Sequence, residues 1–437
     1  MKNYRSDDII YALATGWTKS ALAIIRASGK GCVAAFSCCF SHPKQLLASP
    51  SGTLLHGFVS TKEGERIDEV MLSVSRDGHG YTGEEAFEIT CHGSLVGVTR
   101  ILAVCASLGF RQAEGGEFTY RAFLNGKMDL TQAEAVEEMV DSMSEKGQSM
   151  ALSRLCGFLG KKLAELRKRY LAVMASVEVQ LDYSEDELDE FVYPETQLEA
   201  IRSEMLRLAG TYQVGKIYGE GAKVVLAGRT NVGKSSLFNL LLHCDRAIVS
   251  PVPGTTRDYL EEHCVFGGIP VRLYDTAGLR ESGDEVEKEG IGRTRALLEG
   301  ADVVVFLHED GDEVPEDERI LPVWAKTDKE KHEGLGISSE TGEGVDRLIT
   351  AIVAKLKNHL PVEDDEGIVV QSKRQYDLLV DSAEAIGRAD ACERSGVPLD
   401  IVAGILQEGL SSLGEITGFV TSTEILETIF SGFCVGK

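Results

Sequence analysis

The chain has 437 residues, of which 43% are hydrophobic, 45 are Lys or Arg and 69 are Asp or Glu, so its formal net charge is −24 at pH 7. This length predicts about three domains, and the absence of an apolar run of roughly 18 residues excludes a membrane-spanning helix. A negative field repels phosphate backbones at long range, so any nucleic acid must be held locally or by a partner.

The N-terminal part of the chain, residues 1–124, is predicted to be an α+β domain. Its first residues, MKNYRSDDII, show neither a signal-peptide nor a transit pattern, which predicts a cytoplasmic location. The short β-rich runs ALAIIRA, DEVMLSVS and AFEITCHG precede one stretch, LVGVTRILAVCASLGF, in which apolar residues recur every three or four positions.

Residues 125–219 form the first part of a predicted helical domain, since the helical period continues there and no proline interrupts residues 130–183. Thr131 with Glu134 three residues later resembles a capping box. The most basic run of the chain, KKLAELRKR (residues 161–169), is either a solvated helix face or an RNA contact.

Residues 220–362 are predicted to form a doubly wound parallel sheet, with apolar strands at KVVLAG, VRLYD, DVVVFLH, LPVWAK and GLGISS. The segment 309–320 is short for the helix expected between two of these strands. The helical pattern returns in residues 363–437, so a helical domain interrupted by a complete α/β domain is the simplest architecture. The ten cysteines form no C-x-x-C pair, which favours reduced thiols over disulfides or a metal site.

A phosphate site is indicated by GRTNVGKSS (residues 228–236), which follows a predicted strand and opens a predicted helix, as a P-loop does. Its N–H groups and Lys234 would hold phosphates, and Ser235 and Thr256 would bind Mg²⁺. DTAG (275–278) would hold the metal through water and sense the γ-phosphate. The full predicted nucleotide site comprises Asn231, Val232, Gly233, Lys234, Ser235, Ser236, Ser250, Thr255, Thr256, Asp275, Thr276, Ala277, Gly278, Lys326, Asp328, Ser338 and Ser339.

Base recognition departs from the usual pattern. GTPases carry Asn-Lys-x-Asp, whereas this chain has Ala325-Lys326-Thr327-Asp328. Asp328 can still accept hydrogen bonds from guanine, but loss of the asparagine amide removes about 1–3 kcal/mol of binding. Ser338 and Ser339 would close over the base. Leu279 stands where Ras-like enzymes carry the glutamine that positions water.

Together these motifs resemble the MnmE/TrmE family of bacterial tRNA-modifying GTPases over nearly the whole chain. The runs that carry the resemblance are YTGEEAFEITCHG (81–93), GEFTYRAFLNGKMDLTQAEAV (116–136), NVGKSS, GTTRD, DTAGLRESGDEVE and the terminal FCVGK (433–437). The resemblance implies a multidomain α/β protein. It would have an N-terminal folate-binding-like domain that dimerises, a helical domain, and an inserted Ras-like doubly wound P-loop GTPase domain.

The resemblance also implies a potassium ion in place of an arginine finger, held by Asn231 and by backbone carbonyls of Ser250, Val252 and Thr255. It places the water-orienting carboxylate at Glu287, so no glutamine is required at the position of Leu279. From the residues alone, Asn231 is equally well explained as a polar loop residue that binds no ion. Glu287 is then explained as a solvated acid with no catalytic role.

A folate site follows from the same resemblance. Its contacts would be Arg26, Glu88, Lys127 and Lys437, with Cys434 as a nucleophile near the one-carbon unit of 5,10-methylene- or 5-formyl-tetrahydrofolate. Without the family, these are ordinary charged residues and a small buried cysteine. The segment ATGWTKSALAII lacks the glycine-rich run usual in the family, so the shape of the loop around the folate stays open.

The implied activity is GTP hydrolysis coupled to tRNA modification. With a flavin-dependent MnmG/GidA-type partner in a heterotetramer, the homodimer would install a (carboxymethyl)aminomethyl group at carbon five of the tRNA wobble uridine. GTP, K⁺ and Mg²⁺ would close the G domains and hydrolysis would open them. Two alternatives stay open, a ribosome-assembly GTPase related through the G domain and a non-hydrolysing scaffold.

Overall fold

A computed structural model describes residues 4, 7–182, 192–243, 260–276, 296–330, 332–358, 360, 367–420 and 422–437. The chain divides into two compact units, Met1–Glu137 with Gly414–Lys437, and Glu138–Leu413. No helix in the described ranges has both the length and the apolar character needed to cross a membrane. The cysteines within these ranges are free thiols.

The first unit contains a six-stranded sheet in which the alternating burial of successive residues shows one well-covered face. Its strands are β1 (Ile10–Leu13), β2 (Leu22–Ser28), β3 (Thr53–Ser60), β4 (Arg66–Ser75), β5 (Ala86–His92) and β6 (Arg111–Gln112). They lie in the order β3-β4-β5-β2-β1-β6 and are antiparallel except for the pair β1 and β6.

Helices complete this unit and confirm its α+β class. They are α1 (Cys32–Phe36), α2 (Pro43–Ala48), α3 (Leu95–Ser107), α4 (Glu117–Leu124) and α5 (Leu130–Asp141). The capping box predicted at Thr131 and Glu134 is wrong by two residues. The Asp129 carboxylate accepts from the Gln132 N–H, and the Gln132 side chain accepts from the Asp129 N–H, both at 3.0 Å. Thr131 instead donates its hydroxyl to Asp129 at 2.6 Å.

A buried charge cluster ties the start of the sheet to α4. Arg121 is 1% exposed and donates to the carboxylates of Asp8 at 2.6 Å and Glu117 at 3.2 Å. Arg111 binds the same two acids. Burial acts to raise the pKa of Asp8, but the hydrogen bonds from Arg111 and Arg121 lower it below its ordinary value. These buried charges find their partners only when the start of the sheet and α4 are arranged in this way, so the cluster specifies that arrangement.

The second unit holds a helical part and a five-stranded sheet. Its helices are α6 (Glu145–Leu155), α7 (Phe158–Asp182), α8 (Glu195–Gly210), α9 (Tyr212–Glu220), α10 (Lys234–His243), α11 (Val345–Asn358), α12 (Lys373–Arg394) and α13 (Leu399–Thr417). Its strands are β7 (Ala222–Gly228), β8 (Leu260–Phe266), β9 (Ile269–Asp275), β10 (Val303–His308) and β11 (Ile320–Trp324). The last helix, α14 (Thr423–Ser431), belongs to the first unit.

The five strands lie in the order β11-β10-β7-β9-β8. They are parallel except for β8, which was not among the predicted strands and which pairs antiparallel with β9. Continuous burial along β7 and β10 reflects cover on both faces, and α10 and α11 pack on one of them. The strand predicted at GLGISS is reduced to a bridge between Gly336 and Trp324. As its length indicated, the connection from 309 to 319 contains no helix.

The basic run of residues 161–169 lies on α7 and is partly used in packing. Lys162 and Arg169 both bind the carboxylate of Glu204 on α8, at 2.7 and 2.5 Å. These two cations join neighbouring helices, which leaves less of the run for an RNA contact than its sequence indicates.

One buried side chain, Arg154, holds the chain link that leaves the five-stranded sheet. Helix α9 leads directly into β7, and residues 367–372 carry the chain from the sheet to α12. The Arg154 guanidinium is 2% exposed and donates to Glu138, to the Val369 carbonyl at 3.2 Å and to Gln371. Where α9 meets the same link, a Cβ on Gly215 would lie 2.1 Å from the Val370 carbonyl oxygen.

Replacing Arg154 by Met should destabilise the second unit by about 3–5 kcal/mol, because it removes a buried charged donor from the Glu138 carboxylate, the Val369 carbonyl and Gln371. The matched control is Arg388→Met, which breaks an exposed pair with Glu408 and should change stability by less than about 1 kcal/mol. Hydrogen-exchange protection of β7 amides in the full chain measures both. Equal effects of the two substitutions on this protection would show that the contacts of Arg154 do not stabilise the second unit.

Candidate functional site

The phosphate-binding loop lies between β7 and α10, where the sequence placed it. Gly228 ends β7 at φ 137°, and Asn231 takes a left-handed conformation at φ 62°. The Lys234 ammonium is buried and donates to the carbonyls of Gly228 at 3.1 Å and Arg229 at 2.7 Å. The loop therefore wraps around its own lysine, with the N-terminus of α10 directed into the space where an anion is favoured. Val232 is buried, and Ser236 is exposed at the same helix start.

Two oxygens of the predicted magnesium site meet where β9 ends beside α10. The Ser235 hydroxyl donates to the Asp275 carboxylate at 2.6 Å, although the two residues are 40 positions apart. Thr276 fixes this strand end by donating its hydroxyl to the Leu226 carbonyl at 2.8 Å. Hydroxyl and carboxylate oxygens are the donors that Mg²⁺ prefers, so this pair fits the metal.

The guanine loop, residues 325–328, is held through its backbone. The Ala325 N–H donates to the His308 carbonyl at 3.0 Å, and the Thr327 N–H to the Ile337 carbonyl at 3.1 Å. Lys326 adopts φ 57°, and its ammonium lies 2.5 Å from Glu309. Asp328 is exposed at the end of the loop.

The two serines predicted to close over the base lie against the phosphate-binding loop. Ser338 is fully buried, and its hydroxyl accepts from the Thr341 N–H at 3.2 Å. Ser339 donates to the Gly233 carbonyl at 3.4 Å. The structure therefore brings the base side and the phosphate side of the predicted site together.

Several predicted residues lie outside the described ranges. They are Ser250, Val252, Thr255, Thr256, Ala277, Gly278, Leu279 and Glu287. The predicted potassium shell is represented among the described residues by Asn231 alone, so the roles of the others stay predictions.

The first unit contains a cavity of about 210 Å³ that is lined by Arg26, Glu88, Tyr81 and Phe118, among others. Arg26 on β2 binds Glu88 on β5 at 2.8 Å, because these residues pair directly across the two strands. The guanidinium also lies 5.9 Å from the Tyr81 ring centre and 5.5 Å from that of Phe118. A planar cation beside two aromatic rings can hold a flat, partly anionic ligand.

The C-terminal segment, residues 433–437, is bound to the same region. Arg26 donates to the Gly436 carbonyl at 2.9 Å. The Gly116 N–H donates to the Cys434 carbonyl, and the Phe118 N–H to the Lys437 carbonyl, at 3.3 and 3.2 Å. Cys434 is exposed, so the alternative of a small buried cysteine is wrong. Lys437 is the next residue after Gly436 in this segment and therefore lies close to Arg26.

Lys127 reaches the cavity region from another side. Its ammonium lies 3.5 Å from the Gly78 carbonyl, and its stem packs on Gly83 in the loop that carries Tyr81. Three predicted folate residues therefore cluster around the C-terminal segment, and the fourth borders the loop over the cavity.

Sequence reasoning assigned no role to Tyr81 or Phe118, although both lie in quoted family runs. The Tyr81 hydroxyl forms a 2.8 Å hydrogen bond with Thr119. Burial raises the pKa of Tyr81, although that bond and the charge of Arg26 act to lower it. Only the pairing of β2 with β5 and the course of α4 reveal that these rings flank Arg26.

Two family models match the chain. The model described as the MnmE helical domain matches residues 130–434, and the one described as the GTP-binding protein TrmE N-terminus matches residues 9–127. Among curated relatives, the tRNA modification GTPase MnmE of Treponema denticola is 39% identical, over 99% of each chain. The protein of the same name from Carboxydothermus hydrogenoformans is 38% identical, over 99% of this chain and 100% of that protein.

Solved structures match a smaller part of the chain. The G domain of the T. maritima FeoB iron transporter is 28% identical, over 31% of this chain and 98% of that one, with a TM-score of 0.23. An Era variant from Aquifex aeolicus bound to GDP and aluminium fluoride is 25% identical, over 37% and 66%, with a TM-score of 0.24.

Gly228→Ala should weaken GDP binding at least about tenfold, because a Cβ at this position would lie 2.3 Å from the Leu307 carbonyl oxygen. The loop must shift to relieve a strain of about 1–3 kcal/mol. Calorimetric GDP titration of the full chain measures the loss. Gly210→Ala is the control, since an added Cβ there meets nothing within 4 Å. Equal GDP affinity in the two variants would show that the close approach does not shape the loop.

Proposed function

Because the chain belongs to the MnmE/TrmE family of tRNA modification GTPases, we propose that it is a potassium-activated GTPase whose cycle drives a folate-dependent modification of the tRNA wobble uridine. The chain is a GTP hydrolase that acts in tRNA modification. The observation that carries the nucleotide part is the meeting of Ser235 and Asp275 beside the loop that encloses Lys234.

In the proposed GTPase site, each described residue has a distinct task. Lys234 exchanges its carbonyl partners for the β- and γ-phosphates, because a phosphate oxygen is a stronger acceptor than a neutral carbonyl. Ser235, Thr256 and Asp275 would hold Mg²⁺, which would neutralise negative charge on the phosphates. Asp328 selects guanine, while Lys326 and the serines Ser338 and Ser339 border the base. Ala277 and Gly278 contact the γ-phosphate and so sense its presence, and Glu287 orients the attacking water.

Potassium is proposed to bind beside Asn231, with carbonyls of Ser250, Val252 and Thr255 completing its shell. The support is chemical: an amide oxygen is a hard donor suited to such a cation. Asn231 lies in the phosphate-binding loop in a left-handed conformation and is exposed. When bound, the cation supplies positive charge where negative charge grows in the transition state.

GTP turnover of the full chain should be at least about tenfold faster in K⁺ than in Na⁺ at equal ionic strength, since the cation takes the place of an arginine finger. Asn231→Gly should remove this difference. Glycine is the appropriate replacement because it tolerates the observed φ of 62°, so the loop keeps its shape.

The control for this test is Asn239→Ala, a substitution on the exposed side of α10, which should leave the potassium dependence intact. Equal rates in the two salts for the unaltered chain would overturn the proposed activation. Unchanged potassium dependence in Asn231→Gly would overturn the assignment of that residue.

Folate is proposed to bind in the cavity of the first unit. Arg26 and Glu88 offer a donor and an acceptor side by side, as the pterin edge requires, and Tyr81 and Phe118 provide flat apolar faces. Lys127 and Lys437 would bind the glutamate tail. The bound tetrahydrofolate would supply the one-carbon unit, and the exposed Cys434 thiol would act as a nucleophile near it.

Glu88→Gln should weaken binding of 5-formyl-tetrahydrofolate to the full chain at least about tenfold, because a charged acceptor contributes about 1.5–3 kcal/mol. Isothermal titration calorimetry measures the affinity. Glu69→Gln serves as the control, since Glu69 pairs with His56 at an exposed position on the same sheet. Equal affinity of both variants would refute the proposed pterin contact.

The remaining partners are proposed from the family alone. They are a second copy of the chain, a flavin-dependent MnmG/GidA-type protein and the tRNA, which together would form a heterotetramer acting in the cytoplasm. In this assembly the chain would add a (carboxymethyl)aminomethyl group at carbon five of the wobble uridine. The boundaries 1–124, 125–219, 220–362 and 363–437 are proposed for the folate-binding, first helical, GTPase and second helical parts.

A further inference from the structure

Three side chains of metal-binding type meet beside the guanine loop, outside both proposed sites. Asp310 follows β10, and Glu330 and His332 follow the guanine loop. One ligand atom from each lies within 4.8 Å of those of the other two. We propose that this cluster of Asp310, Glu330 and His332 binds one divalent transition-metal ion and thereby joins the two loops that flank the guanine loop.

The imidazole of His332 is held in place for this role. Its ring stacks on Trp324 with centres 4.1 Å apart and an angle of 12° between the planes. This stacking directs Nδ1 toward the Asp310 carboxylate at a distance of 3.9 Å. That separation is too long for a hydrogen bond, yet it suits two atoms that bind one ion between them.

The cluster differs from the other acids of the same loop. Glu309 lies 2.5 Å from the Lys326 ammonium, and Asp312 lies 2.6 Å from the Arg229 guanidinium. Within the described ranges, neither Asp310 nor Glu330 has a Lys or Arg partner of this kind. Two neighbouring carboxylates without a cation repel each other, and a divalent ion would reverse that repulsion.

The donor set selects the class of metal. One imidazole and two carboxylates suit Zn²⁺, Co²⁺ or Mn²⁺, whereas Ca²⁺ and Mg²⁺ prefer oxygen alone. Ligands about 2.0–2.2 Å from a tetrahedral Zn²⁺ lie roughly 3.5 Å from one another. Closing the cluster to this size needs side-chain movements of about 1 Å, which the exposed positions of Asp310 and Glu330 permit.

A metal at this position would compensate for Ala325. The usual asparagine supplies an amide that helps to hold the loop, and the methyl group of Ala325 cannot. The proposed ion would instead anchor Glu330 and His332, which follow Asp328 in the chain, to the loop that follows β10. This consequence rests on the proposed nucleotide site, whereas binding of the metal does not.

Cobalt titration of the full chain tests the metal site. The protein is stripped with chelator and titrated without nucleotide in excess Mg²⁺, which keeps the phosphate site from taking cobalt. We expect one equivalent of Co²⁺ with the visible spectrum of nitrogen and oxygen ligation, and with no thiolate-to-cobalt band from the cysteines. His332→Phe keeps a ring against Trp324 but removes the ligand, and Asp310→Asn removes the charge at constant size. Each should weaken binding at least about tenfold.

The matched control is Glu333→Gln, an exposed acid next to the cluster, which should bind cobalt as the unaltered chain does. Equal affinity in the unaltered chain and in both ligand variants, or a thiolate spectrum, would overturn the site. Release of a fluorescent GDP with and without Zn²⁺ tests the consequence. Zn²⁺ should slow release severalfold in the unaltered chain and not in His332→Phe. Equal release rates would overturn the link to the guanine loop, and failure to bind GDP at all would instead count against the proposed function.

Discussion

The fixing of the chain link of residues 367–372 by Arg154 and against α9 is the constraint on which the second unit depends. Helix α9 continues into β7 and so into the phosphate-binding loop, while residues 367–372 continue into α12. Because Arg154 binds the link of residues 367–372 and Gly215 allows that link to touch α9, the link and α9 do not move independently. Within the second unit, the phosphate-binding loop and the helices α9 and α12 are therefore joined by packed elements rather than by loose connections.

The first unit applies the same principle to the end of the chain. The segment 433–437 pairs with residues 115–118 at the start of α4 and caps Arg26 with the Gly436 carbonyl. The C-terminal segment follows directly on α14, so the carbonyl that Arg26, a lining residue of the cavity, contacts belongs to the last residues of the chain. A shift of α14 within the first unit would therefore change the position of Cys434 and Lys437 relative to Arg26.

The sequence predicted those features that depend on local pattern. Alternating burial in β4 and β5, and the strand–loop–helix setting of Lys234, needed only neighbouring residues. It failed where a distant partner decides: GLGISS has a strand's composition, yet Trp324 pairs with it only at Gly336. The sequence also missed the antiparallel strand β8 and the cap formed by Asp129 and Gln132. Neither the direction in which two strands pair nor the choice between two capping residues two positions apart leaves a periodic signal in the sequence. Tyr81 and Phe118 could not be assigned because only the fold brings them to Arg26.

The guanine loop shows how binding can survive the loss of a motif residue. Its three backbone and ion-pair anchors, to His308, Ile337 and Glu309, do not involve the side chain at position 325, which is a buried methyl group. These anchors hold the loop on the side of β10 and β11 without an amide at position 325. What is lost is the amide's contact with neighbouring polar groups, so the phosphate-binding loop must supply a larger share of the affinity, while Asp328 retains the choice of base.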